Sequence, residues 1–74
     1  MDIRYFQDTD NLLLVFNQNT VASTEDLNEN LLVDLDANGN PVSMTIEHAK
    51  TFTNVQGLSF QQISADSVKE FITT

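Results

Sequence analysis

The chain contains no cysteine, so disulfides and thiolate metal sites are ruled out. It has one histidine, His48, too few for a structural zinc site built within a single chain. Basic residues are scarce: eleven acidic residues stand against Arg4, Lys50 and Lys69, giving a formal net charge of −8. Such a field repels polyanions and offers no basic stripe to phosphates, which counts against direct nucleic-acid binding. No apolar run reaches the ~18 residues that a membrane-spanning helix needs. The acidic start "MDIRYFQDTD" has no apolar signal core. A cytoplasmic protein that begins at its own Met1 is therefore expected. The chain is also short. Its 74 residues allow one domain, residues 1–74, which buries only about 60% of the surface its unfolded form exposes. A small domain without disulfide or metal supports gains stability by association, so a homo-oligomer, in the simplest case a dimer, is expected.

What is present is mostly a β pattern. In "DIRYF" (2–6), Ile3 and Tyr5 alternate with Asp2 and Arg4, the period of a half-buried strand. "QDTDN" (7–11) is polar and turn-prone. "LLLVF" (12–16) is a continuous apolar run, too short for a helix and suited to a central strand covered on both faces. "NQNT" (17–20) is a second turn cluster. "VASTED" (21–26) predicts a weaker strand whose Glu25 and Asp26 suit an exposed edge, where charge discourages further pairing. After a turn at "LNEN" (27–30), "LLVDLD" (31–36) and "VSMTIE" (42–47) each place alternate apolar residues on one face. "HAKTFTNVQG" (48–57) opens with a short helical turn and breaks at Gly57. "LSFQQI" (58–63) reads as strand or as extended linker. "SADSVKEFI" (64–72) predicts a helix over about 65–72, with Ser64 as N-cap, Asp66 at the positive end, and Ala65, Val68, Phe71 and Ile72 as an apolar stripe. The expected fold is α+β: a small antiparallel sheet of about five strands, meander-like, followed by a short C-terminal helix.

One stretch, "VDLDANGNPV" (33–42), admits two readings. Asp34, Asp36, Asn38 and Gly39 reproduce the opening of an EF-hand calcium loop, D-x-D-x-N-G. That loop needs a bidentate Glu at its twelfth position, which here is Thr45, and Pro41 occupies the eighth. The flanks also alternate as strands rather than helices. A β-hairpin fits better. A two-residue Asn38-Gly39 loop of type I′ pairs Leu35 with Val42, Val33 with Met44 and Leu31 with Ile46, all apolar on one face. Asp34 then pairs with Ser43 and Asp36 with Pro41 on the other. A three-residue loop slips the register by one and mixes the faces, a change that register rules oppose.

"MDIRYFQDTDNLLLVF" followed by "VASTEDLNENLLVDLDANGNPVSMTIEHAKTF" resembles the small bacterial proteins grouped as domain of unknown function 2283. The resemblance covers about residues 1–52, a β-rich core, and leaves 53–74 as a C-terminal extension. It implies a compact antiparallel sheet with a C-terminal helical element. It implies no activity, since the family has none established, although some members look like partners of small toxin-like proteins. This chain departs from the family pattern at Asn30 and Ser43, where glycines are common.

Candidate chemistry is sparse. His48 could act as a general base oriented by Glu47, Asp34 or Asp36, but adjacent strand residues point to opposite faces, and a surface histidine at a strand end is the simpler reading. Asp8 and Asp10 resemble a metal-binding pair, which polar turn composition explains equally well. No serine lies in a Gly-x-Ser-x-Gly context, and no Gly-rich phosphate loop occurs. No enzyme activity, cofactor or metal site is expected. The aromatics, Tyr5, Phe6, Phe16, Phe52, Phe60 and Phe71, are many for a thin core. One sheet and one short helix leave apolar surface over for another chain. The chain is thus expected to be a non-catalytic interaction or structural module that self-associates through a sheet face or the C-terminal helix (Phe71, Ile72). The alternative is an acidic, antitoxin-like inhibitor that holds a small basic protein through Asp34, Asp36, Glu25 and Asp26.

Overall fold

The computed structural model describes residues 1–65. The predicted helix over 65–72, with Phe71 and Ile72, lies outside the described residues. Five strands follow in chain order: β1 (Asp2–Phe6), β2 (Asn11–Val15), β3 (Ser23–Asn28), β4 (Leu31–Leu35) and β5 (Pro41–Glu47), with one turn of helix, α1 (Ala49–Phe52), after them. They form a single antiparallel sheet in the order β1-β2-β5-β4-β3. The meander therefore runs in two pieces, β1–β2 and β3–β4–β5, and β5 closes the sheet by pairing with β2.

This order changes the reading of "NQNT". Rather than turning the chain tightly, residues 16–22 carry it across one end of the sheet, from β2 to the far edge. Polar residues suit this crossing because they staple it. Phe16 N donates to the Val42 carbonyl (2.8 Å) and Ala22 N to the Leu35 carbonyl (2.8 Å). Asn17 Nδ2 reaches the Pro41 carbonyl (3.1 Å), and Asn19 Nδ2 reaches Asp36 Oδ2 (3.1 Å).

Cross-strand pairing sorts the side chains onto two faces. Ile3 and Tyr5 pair with Leu14 and Leu12, which pair with Met44 and Ile46, which pair in turn with Val33 and Leu31. These residues form one continuous apolar face across four strands. β3 adds Ser23 and Glu25 at its margin, opposite Leu35 and Val33. The other face mixes Phe6, Leu13, Val15 and Leu32 with Asp2, Arg4, Asn11, Thr45, Ser43, Asp34, Thr24 and Asp26.

Neither face is roofed among the described residues. Among the described residues only Val33, Val42 and Ala49 are buried apolar side chains, and no large side chain is fully buried. "LLLVF", read as a strand covered on both faces, is half-buried along its whole length. The helical turn α1 covers little. Ala49 is fully buried, whereas Phe52, three residues on, is 59% exposed. Residues 58–63 form neither strand nor helix, and Leu58 and Phe60 are 74% and 87% exposed.

Candidate functional surface

The hairpin at "VDLDANGNPV" is present, with strands on both sides. Its body keeps the expected register, Leu31 with Ile46, Val33 with Met44 and Asp34 with Ser43. The turn itself differs from expectation. Asp36 N donates to the Asn40 carbonyl (2.9 Å) and Gly39 N to the Asp36 carbonyl (3.0 Å), so the loop holds three residues, Ala37, Asn38 and Gly39. Only Gly39 has positive φ, at 80°. This is a type I turn closed by a left-handed glycine, not a type I′ turn, which needs positive φ at both central residues. Leu35 pairs with Pro41, and a bulge at Val42 then restores the register. The three-residue loop and the bulge together use the same eight residues that a two-residue loop would use without a bulge. Mixing of faces is thereby avoided. A signal for this turn was present, since type I turns favour Asp at the first position and Gly at the fourth.

The two aspartates of this stretch are engaged inside the chain. Asp36 Oδ1 accepts from Asn38 N (2.9 Å) and Asn40 N (3.0 Å), and its other oxygen takes Asn19 Nδ2. The Asn40 amide first, then the Asn19 and Asn38 donors, hold the Asp36 carboxyl below the usual carboxylate range. Asp34 bridges three strands: Thr24 Oγ1 donates to Oδ1 (2.6 Å) and Ser43 Oγ to Oδ2 (2.7 Å). Ser43 is buried. A glycine at position 43 would lack this hydroxyl and leave Asp34 Oδ2 without its Ser43 partner.

A second cluster joins the β1–β2 turn to α1. Asp10, with φ 58°, receives Tyr5 Oη on Oδ1 (2.6 Å) and Lys50 N on the same oxygen (3.2 Å), while its carbonyl accepts Ala49 N (3.0 Å). The short bond to Asp10 pushes the Tyr5 hydroxyl up to about 12, and the same bond lowers Asp10. Asp10 is therefore a staple, and Asp8 lies apart on the exposed turn. Next to it His48 also takes a left-handed conformation, φ 55° and ψ 44°. Its Nδ1 lies 2.9 Å from Asn30 Oδ1 rather than beside a carboxylate. Asn30 in turn accepts Glu47 N at its carbonyl (2.7 Å) and is tied back by its own N–H to Asn28 Oδ1 (2.7 Å). A groove of about 310 Å³ opens beside it, lined by Asn28, Glu29, Asn30, Leu31, Ile46 and Phe52. Leu31 and Ile46 belong to the apolar face, so the groove is the margin of that face.

Of the residues expected to meet a partner, Glu25 and Asp26 stand exposed on β3, an edge strand as predicted, and Asp34 and Asp36 do not stand free beside them. What the sequence reading missed is the apolar face as one surface. Its strands were legible singly, but the β2–β5 pairing that joins Leu12 and Leu14 to Ile46 and Met44 has no local signal.

The model of a protein family of unknown function, DUF2283, matches residues 2–50. The chain belongs to that family. The matched residues run from β1 into α1, so the DUF2283 unit is the five-stranded sheet with both its hairpin and its Asp10 staple. No curated protein and no solved structure matches the chain.

Proposed function

We propose that this DUF2283 chain is a small, non-catalytic, cytosolic protein-interaction module that works by self-association. One observation carries the reading: a continuous apolar sheet face is left half-exposed, and no large side chain among the described residues is fully buried. A domain needs two packed layers around a core, and here the described residues supply one. The non-catalytic part rests on the placement of the polar groups. His48 faces an amide, and the carboxylates of Asp10, Asp34 and Asp36 each hold hydrogen bonds within the fold. The test is the mass in solution by light scattering across the micromolar range. A dimeric mass that falls on dilution is expected; a monomer at every concentration overturns the reading.

A second reading, an acidic antitoxin-like inhibitor of a basic protein, draws on Glu25 and Asp26 on the open β3 edge and on the net charge of −8. In this form Asp34 and Asp36 contribute field rather than contacts. Affinity purification from the native host discriminates the two: a basic protein released by salt favours the second, and recovery of the chain alone favours the first.

A further inference from the structure

The geometry points to a second copy of this chain as the occupant of the apolar face, seated face to face on Ile3, Tyr5, Leu12, Leu14, Met44 and Ile46 so that two sheets form one sandwich. This rests on the self-association reading and assigns its surface and its partner.

Three observations select that occupant. The first is charge. Across β1, β2, β5 and β4 the face carries Ile3, Tyr5, Leu12, Leu14, Met44, Ile46, Leu31 and Val33, with no ionisable group other than the Tyr5 hydroxyl, which is held by Asp10. The acids lie in the turns, on the opposite face and on the β3 edge, where Glu25 marks the margin. A basic partner would be drawn to those places, whereas the face itself accepts only an uncharged surface. A second copy brings one without placing carboxylates opposite each other at the centre.

The second is reach. Four strands at about 4.8 Å spacing, each about 17 Å long, present roughly 300 Å² in projection. A second sheet of the same dimensions matches it.

The third is size. Side-chain relief raises the accessible area above its projection, and the face of each copy contributes equally. The pair therefore falls at the small end of specific interfaces, near or below about 1,200 Å² in total. Sheets pack face to face about 10 Å apart, with strands aligned or crossed.

The experiment uses the intact chain in two arms. In an equimolar mixture of isotopically labelled and unlabelled protein, NOEs between copies are expected at the methyls of Leu12, Leu14, Met44 and Ile46 and absent at Leu13, Val15 and Leu32 on the opposite face. In parallel, Leu14→Glu is expected to halve the mass seen by light scattering, and Leu13→Glu, its neighbour on the opposite face, to leave it unchanged, with circular dichroism confirming that both retain the sheet. A wild-type dimer whose inter-copy NOEs come from the opposite face overturns the face assignment and spares self-association. A folded Leu14→Glu that remains dimeric does the same. A monomeric wild type whose face shows NOEs only to residues of its own chain overturns both. Should Leu14→Glu fail to fold, the NOE arm decides alone.

Discussion

Asp34 and Asp10 are acids whose value to this protein lies in the hydrogen bonds they accept. Removing the Asp34 carboxylate strands the buried Ser43 hydroxyl and frees Thr24 from the opposite strand. An orphaned buried polar group costs about 1–3 kcal/mol, so Asp34→Ala should lower the unfolding free energy by that amount, seen as a lower urea midpoint, and Asp34→Asn by less. An unchanged midpoint would show that Asp34 is free surface charge. Asp10 allows a second reading at this scale, because Tyr5 is the only tyrosine and there is no tryptophan. A near-ultraviolet absorbance titration should find the phenol midpoint at about 12, and Asp10→Asn should return it toward the ordinary value of about 10. The sign for stability follows from linkage. A raised Tyr5 means that its contribution is complete below about pH 10 and is lost between there and about 12. The lowered Asp10 and Asp36 contribute fully above the ordinary carboxylate range and lose that contribution as the pH falls through it. Both carboxylates are half-buried and remain in reach of solvent, so this acid loss is expected to be gentle. A wild-type phenol midpoint near 10 would remove the staple from the account.

At the scale of elements, the β4–β5 hairpin shows a local rule and a tertiary rule meeting. The apolar pairs demand one register, and the Asp36 side chain, capping the amides of Asn38 and Asn40, demands a three-residue loop. The bulge at Val42 satisfies both. Gly39 is the residue the loop requires, because a left-handed turn position costs any residue with a Cβ about 1–2 kcal/mol. Nothing lies within 4 Å of where a Cβ would stand, so the cost of substitution is conformational alone. Gly39→Ala should therefore destabilise by about that amount and Gly39→Asn by less, since Asn tolerates the left-handed region. Equal midpoints for glycine and alanine would mean that the turn changes type when substituted. The β3 edge is guarded differently: a register shift between Asp26 and Asn28 breaks its ladder, and the adjacent Glu25 and Asp26 add charge. β1, the other edge, has no such irregularity, and its exposed Arg4–Asp2 pair (2.7 Å) contributes little energy.

For the whole molecule, the described residues supply one sheet with three buried apolar side chains, a small core to which the proposed self-association would add the second layer. Stability coupled to association depends on concentration. The thermal midpoint should rise with protein concentration, and rise again with salt, which screens the repulsion between copies that each carry −8. A midpoint independent of both would place the stability within a single chain. Among the described residues no helix is long and apolar enough to cross a membrane.

Local sequence was enough to place the strands and the short helical turn, the alternating residues, the polar edge at Glu25 and Asp26 and the body register of the β4–β5 hairpin, all written in periodicity and turn chemistry between near neighbours. The family rested instead on resemblance over residues 1–52. Tertiary structure alone decided the strand order, the crossing at 16–22, the partners that occupy Asp34 and Asp36, and the union of four strands into one apolar face. The physical reason is separation along the chain. The pairing of β2 with β5 joins residues some thirty positions apart, and no local preference encodes which distant strand completes a ladder. Only the closed sheet shows which side chains share a surface.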